Sequence, residues 1–184
     1  MTSFPAPQLC HFGIYARDLD KMVAFYTRVF GLTVSDWGQS TRGMDIAFLS
    51  GDPEEHHQLV IAGGRPEDAT FSTINQISFR VNDLDELRRY YAWLVKEGVQ
   101  DLETRDHGNA WSMYFSDPEG NRMEVYLPSP WYVAQPFGEP LDLTQPAEKI
   151  LAATEAMVRQ DPTCRTMTEW SAEMREKRNQ PSMA

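Results

Sequence analysis

The side chains best suited to chemistry in this sequence lie on a predicted β-hairpin around Glu124. Residues 111–126 alternate apolar and polar side chains on both sides of the turn-forming run Asp-Pro-Glu-Gly-Asn at 117–121, which is typical of a hairpin. Side chains alternate across a strand, so Glu124 and Tyr126 share one face, and Tyr114 lies on the polar face of the incoming strand. We therefore expect a carboxylate and a phenol on the same open face, although a sheet with one ordinary solvated face would show the same pattern.

An internal repeat indicates which elements carry that hairpin. Residues 11–20 and 76–85 align without a gap, and each is a short alternating strand followed by Asp-Leu-Asp, in which an Asp can cap a helix. The apolar stripe from Leu19 to Phe30 returns from Leu84 onward at helical spacing. Three strand-like runs follow each helix: 33–37, 44–49 and 57–62 in the first half, and 99–104, 111–115 and 122–127 in the second.

These patterns predict an α+β fold in which two tandem βαβββ modules form a cupped mixed β-sheet, because one helix cannot cover both faces of four strands. We expect a paired domain at 1–128, with modules at about 8–64 and 73–128, and a C-terminal extension with two helices at 129–184. Gln145-Pro146 opens the first of these helices, and Thr166 and Glu169 have capping-box spacing before the second. We favour a helical brace outside the sheet over a lid for this extension.

A metal site is the chemistry that these positions favour. The repeat places His11 and Gln76 at equivalent points, and in a cup both can converge with Glu124. Imidazole, carboxylate and a neutral amide oxygen all bind divalent metals, and an unpaired carboxylate in an enclosed cup would be costly. A single His at the start of a strand is nevertheless more often structural. His57 follows His56 at the start of a predicted strand, so alternation would send one inward and the other outward.

His107 lies in a predicted turn, where we expect no role beyond a possible contact with bound substrate.

Composition excludes several other classes of function. The net charge of −10, with no basic run, is unfavourable for nucleic acid and for anionic membrane surfaces. No apolar stretch is long enough to span a bilayer, and the start of the chain lacks the features of a signal peptide. Cys10 and Cys164 are predicted to be free thiols of a cytoplasmic protein. We expect a homo-oligomer that binds a small molecule.

The duplicated unit, with His11 opening the first copy and Asp-Pro-Glu-Gly-Asn-Arg-Met-Glu closing the second, resembles the vicinal oxygen chelate superfamily of glyoxalases, bleomycin resistance proteins and extradiol dioxygenases. The resemblance covers about residues 8–128 and is greatest to one-domain type I extradiol ring-cleavage dioxygenases. It implies Fe(II) held by two His and one Glu, with open positions for a catechol and O₂. His11 and Glu124 match two of the ligands.

The resemblance also implies that His57 is the acid/base histidine and that Tyr114 is the active-site tyrosine. Gln76 departs from the pattern, because it occupies the position of the second His ligand. Two outcomes stay open: a dioxygenase with altered iron affinity, or a relative that has given up oxygen chemistry.

Three functions follow from these residues. In the first, Fe(II) held by His11, Gln76 and Glu124 supports ring cleavage of a small catechol-like aromatic by O₂, with Mn²⁺, Zn²⁺ or Ni²⁺ as alternative metals. In the second, the chain is a metal-dependent isomerase or lyase of the glyoxalase or epimerase kind, which would want a carboxylate from the first half, where the corresponding strand offers Gln58 and Leu59. In the third, it is a non-catalytic protein that binds an aromatic or metal-chelating small molecule. Its cup could be lined by Trp37, Trp111 and Trp131, although Trp is also an ordinary large core residue.

Overall fold

The computed structural model describes residues 7–179 of the chain. Within this range the chain divides into two compact units, one formed by residues 7–75 and 117–121 and the other by residues 76–116 and 122–179. The domain boundary predicted after residue 128 stays a prediction, and its outer limits at 1 and 184 lie outside the described residues.

Module 1, in the first unit, is a strand, a helix and three strands. Its elements are β1 (Phe12–Ala16), α1 (Leu19–Phe30), β2 (Thr33–Gln39), β3 (Asp45–Ser50) and β4 (Leu59–Gly63). They form a four-stranded sheet in the order β1-β4-β3-β2, in which β1 and β4 are parallel and the other pairs are antiparallel. The apolar side chains of α1 and the sheet, including Met22, Leu49 and Ile61, are buried against each other and form the core of this module.

Module 2, in the second unit, repeats this order. Its elements are β5 (Ile77–Arg80), α2 (Leu84–Lys96), β6 (Glu103–Asp106), β7 (Ala110–Ser116) and β8 (Arg122–Pro128). The order of these strands in the sheet is β6-β7-β8-β5, and β5 and β8 are the parallel pair; a short strand at Glu139–Pro140 pairs with the outer edge of β6. The extension that follows contains β9 (Trp131–Tyr132), β10 (Glu139–Pro140), α3 (Ala147–Val158), β11 (Arg165–Thr166) and α4 (Met167–Asn179).

The helix of each module begins in the same way because each follows the same short sequence, Asp-Leu-Asp. Each helix starts after an Asp whose carboxylate accepts a hydrogen bond from the backbone N–H three residues later, Lys21 for Asp18 and Glu86 for Asp83. At the far end of α1, Gly31 adopts the left-handed conformation with φ of 65° and stops the helix, as predicted. The α+β class and the internal repeat are confirmed.

The hairpin of β7 and β8 has the predicted alternation of faces. Met113 and Phe115 pair with Val125 and Met123 on a fully buried face, which α2 covers with Leu87 and Leu94. Tyr114 therefore points to the other face, where it pairs directly with Glu124.

The extension braces module 2 on the face opposite Glu124. Trp111 donates its indole N–H to the Thr154 hydroxyl of α3, and that hydroxyl also contacts the carboxylate of Asp106. The predicted capping box before α4 is confirmed, since the backbone N–H groups and side chains of Thr166 and Glu169 bond reciprocally. Trp111 is thus enclosed under α3, and the prediction that it lines an open cup is wrong.

Two predicted strands begin later than expected. The chain leaves α2 through Gly98, whose φ of 72° is left-handed, and Val99 still bonds back to Leu94, so β6 starts only at Glu103. In module 1, β4 starts at Leu59 rather than at residue 57. None of the helices within residues 7–179 is both long and apolar enough to cross a membrane.

Candidate functional site

Glu124 is held on the polar face of module 2 by three hydrogen-bond donors. The Tyr114 hydroxyl donates to its Oε1 at 2.7 Å, and the Ser78 hydroxyl and the Gln76 amide donate to its Oε2 at 2.5 and 2.9 Å. Ser78 lies opposite Glu124 in the β5–β8 ladder, and Tyr114 lies opposite it in the β7–β8 ladder. The register of three neighbouring strands therefore fixes the carboxylate from both sides.

The charge of Glu124 is not matched within its own unit. Its side chain is 7% exposed, and among the described residues of this unit no Lys, Arg or His forms an ion pair with it. All three donors are neutral groups, and an ionised carboxylate is costly to bury without a compensating charge. A carboxylate held rigidly in this way fits the role of ligand to a divalent cation.

Gln76 lies one residue before β5, as His11 lies one residue before β1. Its amide nitrogen faces Glu124 and also donates to the Ser78 hydroxyl at 3.2 Å. Carboxylate oxygens only accept hydrogen bonds, so this orientation of the amide is required. The oxygen of the Gln76 amide is then the atom available to a metal.

Tyr114 is a buried phenol beside this carboxylate. Burial and the hydrogen bond to Glu124 raise the pKa of Tyr114 to about 12. The guanidinium carbon of Arg122 lies 4.2 Å from the centre of the phenol ring and covers one side of it. Tyr114 is therefore a neutral hydrogen-bond donor at neutral pH, with its ring held in place.

His107 is the residue of this network that the sequence did not reveal. Its Nε2 lies 2.8 Å from the Tyr114 hydroxyl, and its Nδ1 lies 2.7 Å from the carbonyl oxygen of Phe137 in the extension. The sequence pattern placed His107 in a turn and gave it no role beyond a possible contact with bound substrate. Its link to Phe137 spans 30 residues and depends on how the extension folds back, for which no sequence signal exists.

A cluster of three histidines lies in the first unit. The rings of His11 and His57 are 4.3 Å apart between centres, and the Nδ1 atoms of His56 and His57 are 2.8 Å apart. The Nε2 of His56 in turn bonds to the carboxylate of Asp36 at 2.7 Å. The prediction that strand alternation separates His56 from His57 is wrong, because both lie in the turn before β4. That turn is closed by Gln58, whose side-chain oxygen accepts from the backbone N–H of Gly51.

The pKa of His57 is lowered by its surroundings. Desolvation lowers its pKa below the ordinary 6.5, and the neighbouring His11 and His56 lower it further. The ring is therefore neutral near pH 7. Because its Nδ1 is taken by His56, the nitrogen left for a substrate proton is Nε2.

The run Asp-Pro-Glu-Gly-Asn is an anchor within the first unit. Glu119 accepts hydrogen bonds from the backbone N–H groups of Arg17 and Asp18 at 2.6 and 2.9 Å, and its carboxylate forms an ion pair with Arg65. Both side chains of that pair are less than 10% exposed. The Tyr26 hydroxyl donates to Asp117, and burial beside this carboxylate raises the pKa of Tyr26. This motif holds the fold together rather than supplying a reactive group.

The predicted site residues thus fall into two groups. Gln76, Glu124 and Tyr114 are in direct contact within the second unit, and His11 and His57 are in contact within the first. Within residues 7–179, no three His, Cys, Asp or Glu side chains are grouped so that they alone could hold a metal ion. The metal set of His11, Gln76 and Glu124 stays a prediction.

The family model of the Glyoxalase/Bleomycin resistance protein/Dioxygenase superfamily matches residues 8–125. The chain belongs to this superfamily, as the sequence resemblance indicated.

Its relatives include enzymes of more than one kind. Biphenyl-2,3-diol 1,2-dioxygenase 3 from Rhodococcus globerulus is 30% identical over 127 residues, which are 66% of this chain and 63% of that protein. The match thus spans less than two thirds of that relative's length. Metallothiol transferase FosB from Lysinibacillus sphaericus strain C3-41 is 31% identical over 59% of this chain and 74% of that protein.

Among solved structures, a mutant of the fosfomycin resistance protein FosX from Listeria monocytogenes, complexed with Mn(II) and 1S,2S-dihydroxypropylphosphonic acid, has a TM-score of 0.53. It is 20% identical, and the match covers 66% of this chain and 92% of that chain. At this identity the likeness concerns the fold alone.

Proposed function

We propose that this protein is a metal-dependent enzyme that cleaves the ring of a catechol-like aromatic with O₂ in the extradiol manner. The observation that carries the proposal is Glu124, a buried carboxylate with three neutral donors and no cationic partner among the described residues of its unit. The similarity to a biphenyl-2,3-diol dioxygenase supports the choice of substrate class and reaction.

In this proposal Glu124, Gln76 and His11 hold Fe(II). Glu124 supplies the charge, Gln76 its amide oxygen, and His11 an imidazole nitrogen. When bound, the metal supplies a template and a positive charge that bring both reactants together and favour the deprotonated substrate.

The remaining residues handle protons and orientation. His57 is neutral near pH 7, so its Nε2 accepts the proton of a substrate hydroxyl and returns a proton later in the reaction. Tyr114 stays protonated, so it orients an oxygen of the substrate by a hydrogen bond. The Phe48 ring packs against the His57 ring, with 5.1 Å between their centres, and helps to orient that imidazole.

The test is oxygen uptake by protein that has been loaded with Fe(II) without air and then given catechol, substituted catechols and 2,3-dihydroxybiphenyl. Uptake with at least one of them, together with a ring-opened product identified by mass spectrometry, is the expected result. If the metal binds and no catechol is consumed, extradiol cleavage is excluded and only the metal site survives.

A second candidate is a metal-dependent transferase reaction of the kind that FosB is named for, which the 31% identity to that relative favours. Mn²⁺-loaded protein incubated with fosfomycin and a thiol would distinguish it, since the dioxygenase proposal expects no product there.

The isomerase or lyase alternative has less support. Val60 pairs with Gly13 in the β1–β4 ladder as Glu124 pairs with Ser78 in the β5–β8 ladder. Val60, rather than Gln58 or Leu59, therefore occupies the position equivalent to Glu124. Module 1 therefore offers no carboxylate at the point where such chemistry would want one.

A further inference from the structure

A second pocket of the second unit lies along the outer side of α2. It is enclosed between residues 85–95 of this helix and residues 143–144 of the extension, and its volume is about 530 Å³. We call it the α2 pocket. The inner side of α2 packs through Leu87 and Leu94 on the buried face of β7 and β8, so the pocket lies behind the sheet from Glu124. Its size is within the range of about 300–1,000 Å³ that small-molecule sites occupy.

One wall of the α2 pocket is apolar and held in place by the extension. The Thr104 hydroxyl of β6 donates to the carbonyl oxygen of Leu141, and the Asp142 carboxylate accepts three hydrogen bonds from residues 144–145. Leu143, which lines the pocket between these anchors, is only 2% exposed. This wall is therefore formed before any ligand binds.

The opposite wall is an apolar strip of α2 that is left uncovered. Val95 lines the pocket with 52% of its surface exposed, and Tyr91 lines it one turn earlier on the same side of the helix. Ala92, also in the lining, carries only a methyl group and so leaves room between Val95 and the arginines nearer the start of α2. A flat apolar body placed here would bury Val95 and contact the Tyr91 ring.

Arg88 brings an incompletely used guanidinium to the same pocket. Its Nη1 donates to the Asp85 carboxylate at 2.7 Å. Its Nε is buried without a hydrogen-bond partner, and no residue within the described part of the chain accepts from its Nη2. The edge formed by Nε and Nη2 is the one that binds a carboxylate through two parallel hydrogen bonds. Nη2 is the atom that a ligand would meet first, and a small rotation of the guanidinium would bring Nε into the same contact.

The charge of the pocket lining is also positive. Arg89 is exposed beside Arg88, and among residues 7–179 it forms no ion pair. Asp85 neutralises one of the two arginines, so the lining keeps one net positive charge in a chain whose net charge is −10. A local positive site on an acidic protein favours an anion over a cation.

We propose that the α2 pocket is a binding site for a small organic carboxylate with an aromatic body. Arg88 and Arg89 bind the carboxylate, and the aromatic body lies between Val95 and Leu143. The site is separate from the residues around Glu124. The proposal does not rest on the proposed function, because no metal or oxygen chemistry enters it.

The probe is 2-naphthoate, titrated into the full chain without metal and followed by calorimetry and by ¹H–¹⁵N spectra. We expect saturable binding, with the largest shifts at the backbone amides of residues 88–95 and 143–144. The neutral twin 2-naphthamide and inorganic phosphate should bind at least about 10-fold more weakly, since one lacks the charge and the other the apolar body.

Two substitutions test the two halves of the pocket. Arg88→Gln removes the charge, and Ala92→Leu keeps both arginines, suits a helix equally well and fills the space beside Val95. Each should weaken 2-naphthoate binding on the order of 10-fold. Lys96→Gln, which removes a positive charge from the same helix outside the pocket lining, is the matched control and should leave the affinity unchanged. Glu124→Gln should also leave it unchanged, because that side chain lies on the other side of the sheet.

Several results would overturn the proposal. One is the lack of saturable binding up to about 1 mM, and another is equal binding of 2-naphthamide, which would show that the arginines do not select an anion. Loss of binding in Glu124→Gln, with shifts centred on residues 76, 114 and 124, would place the ligand at the polar face instead. Shifts at residues 88–95 that depend on protein concentration without any probe would show that a second copy of the chain covers the pocket.

Discussion

In module 2, Glu124 lies opposite Tyr114 across β7 and β8, whereas the same register position in module 1 pairs Val60 with Phe48 across β3 and β4. The equivalence continues along the parallel ladders, where Ser78 beside Glu124 matches Gly13 beside Val60. One frame therefore carries a hydrogen-bonded carboxylate in one copy and apolar side chains in the other. Repetition of the fold does not repeat the chemistry.

The turns between the last two strands show the opposite distribution. In module 1 this turn spans residues 51–58 and carries His56 and His57 beside His11. In module 2 it spans residues 117–121 and carries Glu119, which is used to bind backbone N–H groups of the first unit. Module 1 therefore carries imidazoles in this turn, and module 2 carries a carboxylate on its sheet. At the sheet position, module 1 has the apolar pair and module 2 the polar pair. At the turn, module 2 has the anchoring carboxylate and module 1 the histidines.

The largest effect should come from the position at which the sheets differ most. Glu124→Gln keeps the size of the side chain but removes the charge, so we expect metal affinity and turnover to fall by about 100-fold or more. Val60→Thr, at the equivalent point of module 1, is the matched control and should change neither. Metal content after anaerobic loading and oxygen uptake are the measurements. Full metal binding by Glu124→Gln would remove the basis for the proposed site.

The next effect tests the turn of module 1. His57→Gln should lower kcat by roughly 10²–10⁴-fold, the usual contribution of a general base, while the bound metal is retained. His56→Gln is the control, since its ring bonds to Asp36 and the structure gives it no free nitrogen for substrate. Equal losses in the two variants would indicate that the pair acts as a structural unit. Loss of metal in His57→Gln would reassign it as a ligand.

A third substitution replaces a side chain of module 2 with the one at the equivalent position of module 1. Tyr114→Phe gives module 2 the side chain that Phe48 supplies in module 1, and it leaves Glu124 with two donors. Because a hydrogen bond to a charged group contributes about 1.5–3 kcal/mol, we expect the free energy of unfolding to fall by that amount in urea titrations of the metal-free protein. The reciprocal Phe48→Tyr should bring no such gain. A Tyr114→Phe protein as stable as the original would mean that Glu124 does not depend on this donor.

Much of the frame could be predicted from the sequence because the determining signals are local. The Asp-Leu-Asp repeat predicted both helix starts, and the alternation around Glu124 predicted which side chains share its face. The contact of Gln76 with Glu124 also followed, since both positions are set by strand register.

The rest depends on contacts between distant parts of the chain. His107 lies against a carbonyl 30 residues away. The contact of His56 with His57 occurs in the turn before β4, which the Gln58 side chain bridges through its bond to Gly51. The resemblance to dioxygenases predicts His57 and Tyr114 as site residues, whereas the sequence gave His107 no role beyond a possible contact with bound substrate. The periodicity of apolar residues predicts which face of a helix or strand is buried, but it does not predict which loop packs against that face.

The smallest predicted effect is a change of stability with pH, which arises because the extension covers Asp106 in module 2 and has no counterpart at the equivalent position of module 1. Asp106 in β6 is 5% exposed beneath Thr154 of α3, whereas Gln39, its register equivalent in module 1, is exposed. Burial raises the pKa of Asp106 above the ordinary 3.8, so the folded protein binds a proton there more readily than the unfolded chain. The stabilisation from this group is therefore complete below pH 3.8 and is lost as the pH rises through the folded pKa.

Asp106→Asn should remove this dependence, because the amide cannot titrate while its oxygen still accepts from the backbone N–H of Gly108. Comparison of urea unfolding from pH 3.5 to 7, a range chosen around the ordinary carboxyl pKa, should show the original protein losing stability relative to the variant as the pH rises. Gln39→Glu, which adds a carboxylate at the exposed equivalent, should show no matching slope. A constant difference between Asp106→Asn and the original at every pH would mean that the extension does not desolvate this carboxylate, and the contrast between the two modules would then stop at the polar face.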